Sequence, residues 1–287
     1  MSQSTPPLPP LREVIQRFGL GARKSLGQHF LLDLNLTGRI ARCAPDLASG
    51  TVIEVGPGPG GLTRALLAEG ARRIIAIEKD QRCLEALAEL AAHYPDRLEI
   101  LAGDALTLAP AQLGEAPRQI VSNLPYNIST ALLTGWLTSL AEGPDALTAM
   151  TLMFQKEVAA RLVAQPRSAD YGRLTILTQW LCEVRVLFDI PPRAFTPPPK
   201  VTSSVVSLRP RSAPLAPARL KTLERVTAAA FGKRRKMLRQ SLKPLFADSV
   251  AAITSLDLEP TARAEELSVD DFCKLAQLLD AQAPPER

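Results

Sequence analysis

The chain has 287 residues, of which 46% are hydrophobic and 22% charged, a composition that suits two folded domains and excludes a disordered protein. Its four cysteines are widely separated, it has only two histidines, and no apolar run is long enough to cross a membrane, so we expect a cytoplasmic protein without disulfides, bound metal or membrane contact. The net charge is +5, but residues 191–250 carry thirteen Lys and Arg against two acidic residues, and this concentration favours nucleic acid as the partner.

The first ten residues include four prolines, which predicts a disordered lead over residues 1–21. Apolar runs and helical patterns alternate after it. Strands are predicted over residues 51–56, 73–78, 98–102, 119–122 and 149–154, and helices over residues 62–69 and 83–93. This alternation is typical of an α/β fold in which helices cover both faces of a parallel sheet.

The pattern changes near residue 190. Five prolines within residues 191–199 predict irregular structure, residues 203–208 form the last predicted strand, and helical patterns extend from Arg219 onward. We therefore predict an α/β domain over residues 22–210 and a small all-helical domain over residues 211–287, whose basic residues favour nucleic acid as its ligand.

The basic residues after position 190 are candidates for phosphate contacts. Residues 233–239 fall at the start of a predicted helix, where like charges repel one another and oppose the helix dipole. Such a cost points to a use in binding, and a solvated basic face is the alternative. The candidates are Lys200, Lys233, Arg234, Arg235, Lys236 and Arg239.

A glycine-rich turn joins the first strand of the predicted sheet to a helix. Its glycines are Gly56, Gly58, Gly60 and Gly61. Such a turn lets a ligand approach backbone N–H groups closely. Glu78 ends the next strand, where its carboxylate can accept hydrogen bonds from ribose hydroxyls. The pattern predicts a nucleotide-like cofactor with a free ribose, but it does not separate NAD from S-adenosylmethionine, and a purely structural turn is the alternative.

Asp104 follows the third predicted strand. Ligands of open α/β sheets bind at the carboxyl edge, so this side chain can accept a hydrogen bond from an adenine amino group. It can equally cap the next turn, and the sequence leaves both roles open.

The tetrapeptide Asn123-Leu124-Pro125-Tyr126 comes directly after the fourth predicted strand. Adenine N6 is a poor nucleophile because its lone pair is delocalised into the ring. An Asn oxygen and a main-chain carbonyl that accept its two N–H bonds would restore the lone pair. Pro125 stiffens the turn, and Tyr126 offers a ring for stacking an extruded base. The tetrapeptide therefore favours chemistry at an adenine amino group over a proline turn that only ends a strand.

Several segments together resemble the ribosomal RNA adenine-N6 dimethyltransferase family, and most closely its small-subunit branch. They are residues 24–31, 54–58, 123–129, 155–158, 171–174, 195–201 and 231–236. The resemblance extends from about Arg23 to Ser268 and is far more specific than any one motif. It implies a Rossmann-like S-adenosylmethionine-dependent methyltransferase sheet followed by a small C-terminal all-helical domain.

The resemblance also implies roles for individual residues. The implied cofactor contacts are His29, Leu31, Gly56, Gly58, Glu78, Asp104 and Asn123, with Gly56 at the methionine end, Glu78 at the ribose and Asp104 at the adenine ring. Relatives often carry Asn at the position of His29. The implied reaction centre comprises Asn123, Leu124, Pro125 and Tyr126, with Phe195 as a second aromatic wall for the target base. A hydrophobic plug in a proline loop is the alternative for Phe195.

The implied function is transfer of methyl groups from S-adenosylmethionine to N6 of two adjacent adenosines near the 3′ end of small-subunit rRNA. The implied enzyme is a monomer that acts on the assembling small ribosomal subunit. The alternatives are the large-subunit branch that confers antibiotic resistance and a non-catalytic RNA-binding assembly or transcription factor on the same fold. The basic segment and helical tail favour the small-subunit branch, and the intact glycine turn and tetrapeptide favour an enzyme. An NAD enzyme leaves the tetrapeptide and the basic segment unexplained.

Overall fold

The computed structural model describes residues 8–23, 27–143, 146–233 and 235–282. Its helices are α1 (Leu11–Arg17), α2 (Leu34–Ala41), α3 (Gly61–Ala68), α4 (Gln81–His93), α5 (Ser129–Glu142), α6 (Lys156–Val163), α7 (Arg173–Leu181), α8 (Leu220–Phe231), α9 (Leu238–Ser241), α10 (Ser249–Thr254) and α11 (Val269–Gln282). Its strands are β1 (Phe30–Leu31), β2 (Thr51–Val55), β3 (Arg73–Glu78), β4 (Leu98–Ala102), β5 (Arg118–Asn123), β6 (Ala149–Gln155), β7 (Cys182–Ile190), β8 (Phe195–Thr196) and β9 (Ser203–Pro210). None of the helices in the described ranges has the length and hydropathy that a membrane crossing requires.

Within the described residues, seven strands form one sheet in the order β4-β3-β2-β5-β6-β9-β7. Strands β2 to β6 are parallel, and β9 runs antiparallel to β6. Every residue of β2 is buried, as expected for a strand covered by helices on both faces. The predicted α/β class and Rossmann-like sheet are confirmed.

Local sequence explains where the helices beside the sheet begin. The Asp80 carboxylate accepts a hydrogen bond from the Arg82 N–H and so caps α4. Cys83, Leu87 and Leu90 then follow at helical spacing and are buried in the core. Because strand and helix alternate in this way, the carboxyl ends of β2, β3 and β5 lie together at one edge of the sheet.

The predicted disordered lead over residues 1–21 is wrong for its described part, and residues 1–7 lie outside the described ranges. Residues 11–17 form α1, in which Leu11 and Val14 are buried. Leu20 is 1% exposed, and Arg64 donates a hydrogen bond to the Pro9 carbonyl over 2.6 Å. The apolar side chains at helical spacing stabilise a packed helix here, although prolines precede it.

The described residues divide into two compact units. One comprises Met1–Ala159 and Arg185–Arg209 and contains the sheet, and the other comprises Ala160–Val184 and Pro210–Arg287. The predicted boundary between residues 210 and 211 therefore differs from the structure, which groups residues 160–184 with the C-terminal helices.

Aromatic packing explains this grouping. The Tyr171 ring lies 6.3 Å from the Phe231 ring, which lies 5.6 Å from Phe272. Trp180 is buried, and its Nε1 donates to the Ala216 carbonyl over 2.8 Å. The segment around α7 thus buries its large side chains among helices far along the chain, a contact that sequence order conceals.

Two other sequence expectations need correction. The proline-rich residues 191–199 contain β8, which pairs antiparallel with β1 so that Phe195 lies opposite Leu31. The basic residues Lys233, Arg235 and Lys236 lie in the turn between α8 and α9 rather than at the start of a helix, so the argument from the helix dipole does not apply to them.

Candidate active site

The carboxyl edge of the sheet holds a cavity of about 210 Å³. It is lined by the segment around β1 and by the loops that follow β2, β3, β4 and β5. The structure therefore brings together most of the residues that the sequence selected for a site. His29, Leu31, Gly56, Gly58, Glu78, Asp104 and the tetrapeptide from Asn123 to Tyr126 all line it.

Positive backbone φ angles favour glycine in the turn after β2. Gly56 and Gly58 have φ of +66° and +56°, which side-chain-bearing residues rarely adopt. A Cβ at Gly58 would stand 2.9 Å from the Phe30 ring, and one at Gly56 would stand 3.3 Å from the Pro125 ring. The absence of side chains therefore keeps the backbone of this turn accessible along the cavity wall.

Glu78 is held in a fixed orientation at the end of β3. Its Oε2 accepts a hydrogen bond from Gly58 N over 3.0 Å, and its Oε1 accepts from the N–H groups of Lys79 and Asp80, each over 2.8 Å. Burial raises the pKa of this carboxyl, and the backbone donors partly offset the rise. A carboxylate has about four acceptor positions, so Glu78 can still accept from a ligand hydroxyl.

Asp104 has the capping role that the sequence left open. Its Oδ1 accepts a hydrogen bond from Leu106 N over 3.1 Å, and its Oδ2 accepts from Lys79 Nζ over 2.7 Å. The Lys79 ammonium lowers the pKa of Asp104, and the carboxylate remains on the cavity wall. Capping and ligand contact are thus compatible at this position.

The Asn123 amide is oriented by its neighbour across the cavity. Its Nδ2 donates a hydrogen bond to the backbone carbonyl of His29 over 3.0 Å. A carbonyl can only accept, so the amide nitrogen must face His29, and Oδ1 is the atom that can accept from a ligand. Leu124 is 1% exposed and anchors the turn, which closes through a hydrogen bond from Ile128 N to the Pro125 carbonyl.

Aromatic rings occupy the side of the cavity beside Asn123. The His29 ring stacks on Tyr126 with centroids 5.4 Å apart and planes 29° apart. The Tyr126 hydroxyl bonds to the Ser203 hydroxyl. Phe195 meets His29 edge to face at 6.4 Å, but it is only 3% exposed and packs in the core. Phe195 therefore does not form the cavity wall that the sequence predicts, because its pairing with Leu31 through β8 and β1 buries it.

Sequence reasoning missed Glu54, a cavity residue one position before the end of β2. Its side chain is buried, and its Oε2 has no hydrogen-bond partner among the described residues. Burial raises its pKa to about 8; the neighbouring Thr63 hydroxyl lowers it, and repulsion by Glu78 adds a smaller rise. A lone acidic residue inside an otherwise apolar strand was the available signal.

A second polar group ties the N-terminal segment to the start of α4. Asp80 is 4% exposed, and its Oδ2 accepts from Arg82 Nη2 over 2.7 Å and from Gln28 Nε2 over 3.1 Å. Arg82 Nη1 also donates to the carbonyls of Gly19 and Gly21. Hydrogen bonding by Arg82 lowers the pKa of Asp80 to about 2. These contacts hold in place the segment that leads to His29.

The candidate phosphate contacts lie on the surface. Lys200, Lys233, Arg235, Lys236 and Arg239 are exposed, and Arg234 lies outside the described residues. No group of three or more potential metal ligands occurs among the residues that the structure describes.

Comparison with known proteins extends the similarity over nearly the whole chain. Residues 19–281 match the sequence model of a family described as ribosomal RNA adenine dimethylase. Ribosomal RNA small subunit methyltransferase A of Paramagnetospirillum magneticum is 65% identical over 275 residues, which cover 96% of each chain. The crystal structure of a dimethyladenosine transferase from Plasmodium falciparum is 26% identical and aligns with a TM-score of 0.75 over 88% of this chain and 98% of that one. The 23S rRNA methyltransferase ErmE is 30% identical, with a TM-score of 0.66 over 88% and 99% of the two chains.

Proposed function

From the premise that this chain belongs to the ribosomal RNA adenine dimethylase family, we propose that it methylates N6 of adenosines in small-subunit rRNA with S-adenosylmethionine as the methyl donor. The chain is an S-adenosylmethionine-dependent rRNA adenine dimethyltransferase. The small subunit is favoured because the relative named for it is far more similar to this chain than the 23S enzyme is.

One observation carries the proposal beyond family membership. The Asn123 amide is fixed with its nitrogen toward the His29 carbonyl, so its oxygen is the acceptor that the cavity offers beside the Tyr126 ring. This is the arrangement that an adenine amino group needs if its two N–H bonds are to be accepted and its lone pair directed at a methyl donor. A turn that only ended a strand would not need an oriented amide.

The cavity residues fit S-adenosylmethionine. We assign the methionine end to Gly56, the ribose to Glu78 and the adenine ring to Asp104, with His29, Leu31, Gly58 and Asn123 completing the site. Glu54 Oε2, which has no hydrogen-bond partner among the described residues, offers a place for a cationic or N–H group of the cofactor. When bound, the cofactor supplies an electrophilic methyl group on a sulfonium.

The protein contributes position and hydrogen-bond acceptors rather than acid–base groups. Asn123 Oδ1 and a main-chain carbonyl of the turn accept from the target N6, and Pro125 and Leu124 keep that turn rigid. Tyr126 supplies a stacking surface. No strong base is required, because the nitrogen becomes acidic once it carries the new methyl group and then releases its proton.

Finer features of the reaction belong to the same proposal. The target is two adjacent adenosines near the 3′ end, each dimethylated while the small subunit assembles in the cytoplasm. The enzyme acts as a monomer without metal. The C-terminal helical unit supplies phosphate contacts through Lys233, Arg234, Arg235, Lys236 and Arg239, and Lys200 adds a contact from the sheet-containing unit.

Incubation with small ribosomal subunits that lack these methyl groups, in the presence of labelled S-adenosylmethionine, tests the proposal. Mapping of the product RNA should place the label on N6 of two adjacent adenines near the 3′ end. Label on large-subunit RNA alone would support the antibiotic-resistance branch instead. Binding to the small subunit without transfer by the wild-type chain would support the non-catalytic factor.

A further inference from the structure

The His29 side chain has contacts that a cofactor ligand does not need. Its ring stacks on Tyr126 at 5.4 Å and meets Phe195 edge to face at 6.4 Å. These are the two aromatic residues that the sequence assigned to the walls around the target base. Of these two, Tyr126 lines the cavity and Phe195 is buried in the core, so the stacking on Tyr126 is the contact that bears on the base site.

The backbone and the ring of His29 are held by different partners. The backbone carbonyl accepts from Asn123 Nδ2, and the ring Nδ1 lies 2.8 Å from the Pro197 carbonyl. Rotation of the His29 side chain would break the hydrogen bond to the Pro197 carbonyl and the stacking on Tyr126. It would leave the bond that orients Asn123 unchanged. The ring can thus move without disturbing the proposed reaction centre.

The spacing of the two rings leaves no room for a base between them. Stacked rings make contact at about 3.5 Å, so a base between two rings needs about 7 Å of separation. The centroids of His29 and Tyr126 are 5.4 Å apart. Both residues line the cavity, and the His29 ring covers one face of Tyr126. A base that stacks on this face must therefore displace the His29 ring.

We propose that the His29 imidazole and the target adenine compete for the same face of Tyr126, so that the His29 side chain is a residue of the target-base site and leaves Tyr126 when the base enters. This inference rests on the proposed function and deepens it. Any cofactor contact of His29 is then made by its backbone, and the side chain sets how readily a base is accepted.

Steady-state kinetics with unmethylated small subunits test the competition through His29→Ala. Removal of the ring uncovers Tyr126, so KM for the subunits should fall about 2- to 10-fold, the range of one aromatic pair, while the affinity for S-adenosylmethionine stays within twofold. His29→Phe keeps a ring on Tyr126 and should not lower KM. His93→Ala, at the only other histidine of the chain, is the matched control and should change neither quantity.

Imidazole NMR signals give a second readout that does not depend on a variant. The chain has only two histidines, so the signal of His29 can be assigned against that of His93. Added small-subunit RNA that contains the target adenines should move the His29 signal away from its stacked position and leave His93 in place.

A higher KM for His29→Ala, or a His29 signal unchanged at saturating RNA, would overturn the competition and make His29 a fixed wall. These outcomes differ from failure of the proposed function, in which the wild-type chain transfers no methyl group at all.

Discussion

The two sides of the cavity are built in opposite ways. On the side that we propose for the cofactor, Glu78 is fixed by three backbone N–H groups, and the glycine turn brings backbone close to the cavity. On the base side, the Tyr126 ring is covered by His29 and the Phe195 ring is buried. The polar side can accept a ligand without rearrangement, whereas on the aromatic side the stacking surface of Tyr126 is already occupied by His29.

The difference follows from the chemistry of each side. Polar groups buried without partners are costly, so the sheet edge supplies three backbone donors that orient Glu78 and leave about one acceptor position for the ligand. An exposed aromatic face costs free energy in water, and a neighbouring ring reduces that cost until a base replaces it. Cofactor binding should therefore depend on fixed hydrogen bonds, and base binding on an exchange of rings.

The largest expected effect comes from Asn123, whose side chain we place both in the cofactor site and at the reaction centre. Asn123→Ala removes the acceptor for the adenine amino group, so single-turnover methyl transfer should fall at least ~100-fold, the usual cost of losing one hydrogen-bonding group at a reaction centre. S-adenosylmethionine affinity, measured by calorimetry, should fall much less than the transfer rate, because the proposed contacts of the cofactor with Gly56, Glu78 and Asp104 remain. A near-normal transfer rate would show that the amide does not activate N6.

Glu78→Gln tests the preformed side. The loss of a charged acceptor should weaken S-adenosylmethionine binding by roughly 1.5–3 kcal/mol, while the affinity for small subunits stays the same. Glu99→Gln on β4, whose side chain pairs with Arg73 on the surface, is the control. Equal cofactor affinity of the Glu78 variant and the wild type in calorimetric titration would remove this residue from the site.

Glu54 predicts a pH effect on stability. Its carboxyl has a pKa of about 8 in the folded protein against 4.5 in the unfolded chain. Between these values the folded state holds a proton that the unfolded state has released, so this stabilisation is lost as the pH rises, at about 1.4 kcal/mol per pH unit. From pH 6 to pH 8 the unfolding free energy of the wild type should fall by about 2 kcal/mol more than that of Glu54→Gln. Urea unfolding at several pH values measures both, and an equal pH dependence of the two unfolding free energies would contradict this expectation.

The smallest expected effect concerns the turn between α8 and α9. Joint replacement of Lys233, Arg235 and Lys236 by Ala should reduce the slope of log affinity for small subunits against log salt by about two, since each phosphate contact contributes roughly 0.7–0.9. Cofactor affinity should not change. Lys274→Ala, whose side chain pairs with Asp270, is the control. An unchanged slope would show that these residues form a solvated surface and do not contact phosphates.

The fold, and the position of the selected cofactor-site residues around one cavity, could be predicted from the sequence because both depend on local patterns. Continuous apolar strands, a glycine turn and an acidic strand end are readable within about 30 residues of chain, and β3 and β4 have their predicted bounds. The tetrapeptide was found for the same reason, although the orientation of its Asn123 amide comes from His29, far away in sequence.

The wrong and missing predictions all concern features that depend on contacts between residues far apart in the sequence. The sequence predicts a wall position for Phe195, and its burial escapes that prediction because the pairing with Leu31 cannot be inferred from either segment alone. Residues 160–184 were placed in the wrong unit because the partners of Tyr171 and Trp180 come later in the chain. Glu54 was overlooked because the burial that perturbs its pKa depends on the whole sheet.

The most direct test of the contrast between the two sides is a double-variant cycle of Glu78→Gln and His29→Ala. Calorimetry gives the cofactor Kd, and steady-state kinetics give KM for unmethylated small subunits. If the polar side is preformed and the aromatic side exchanges rings, Glu78→Gln should weaken cofactor binding only, His29→Ala should lower KM only, and the double variant should combine both changes within about 0.5 kcal/mol. A His29→Ala variant that weakens cofactor binding as much as Glu78→Gln does would contradict this account, because the two sides would then form a single coupled site.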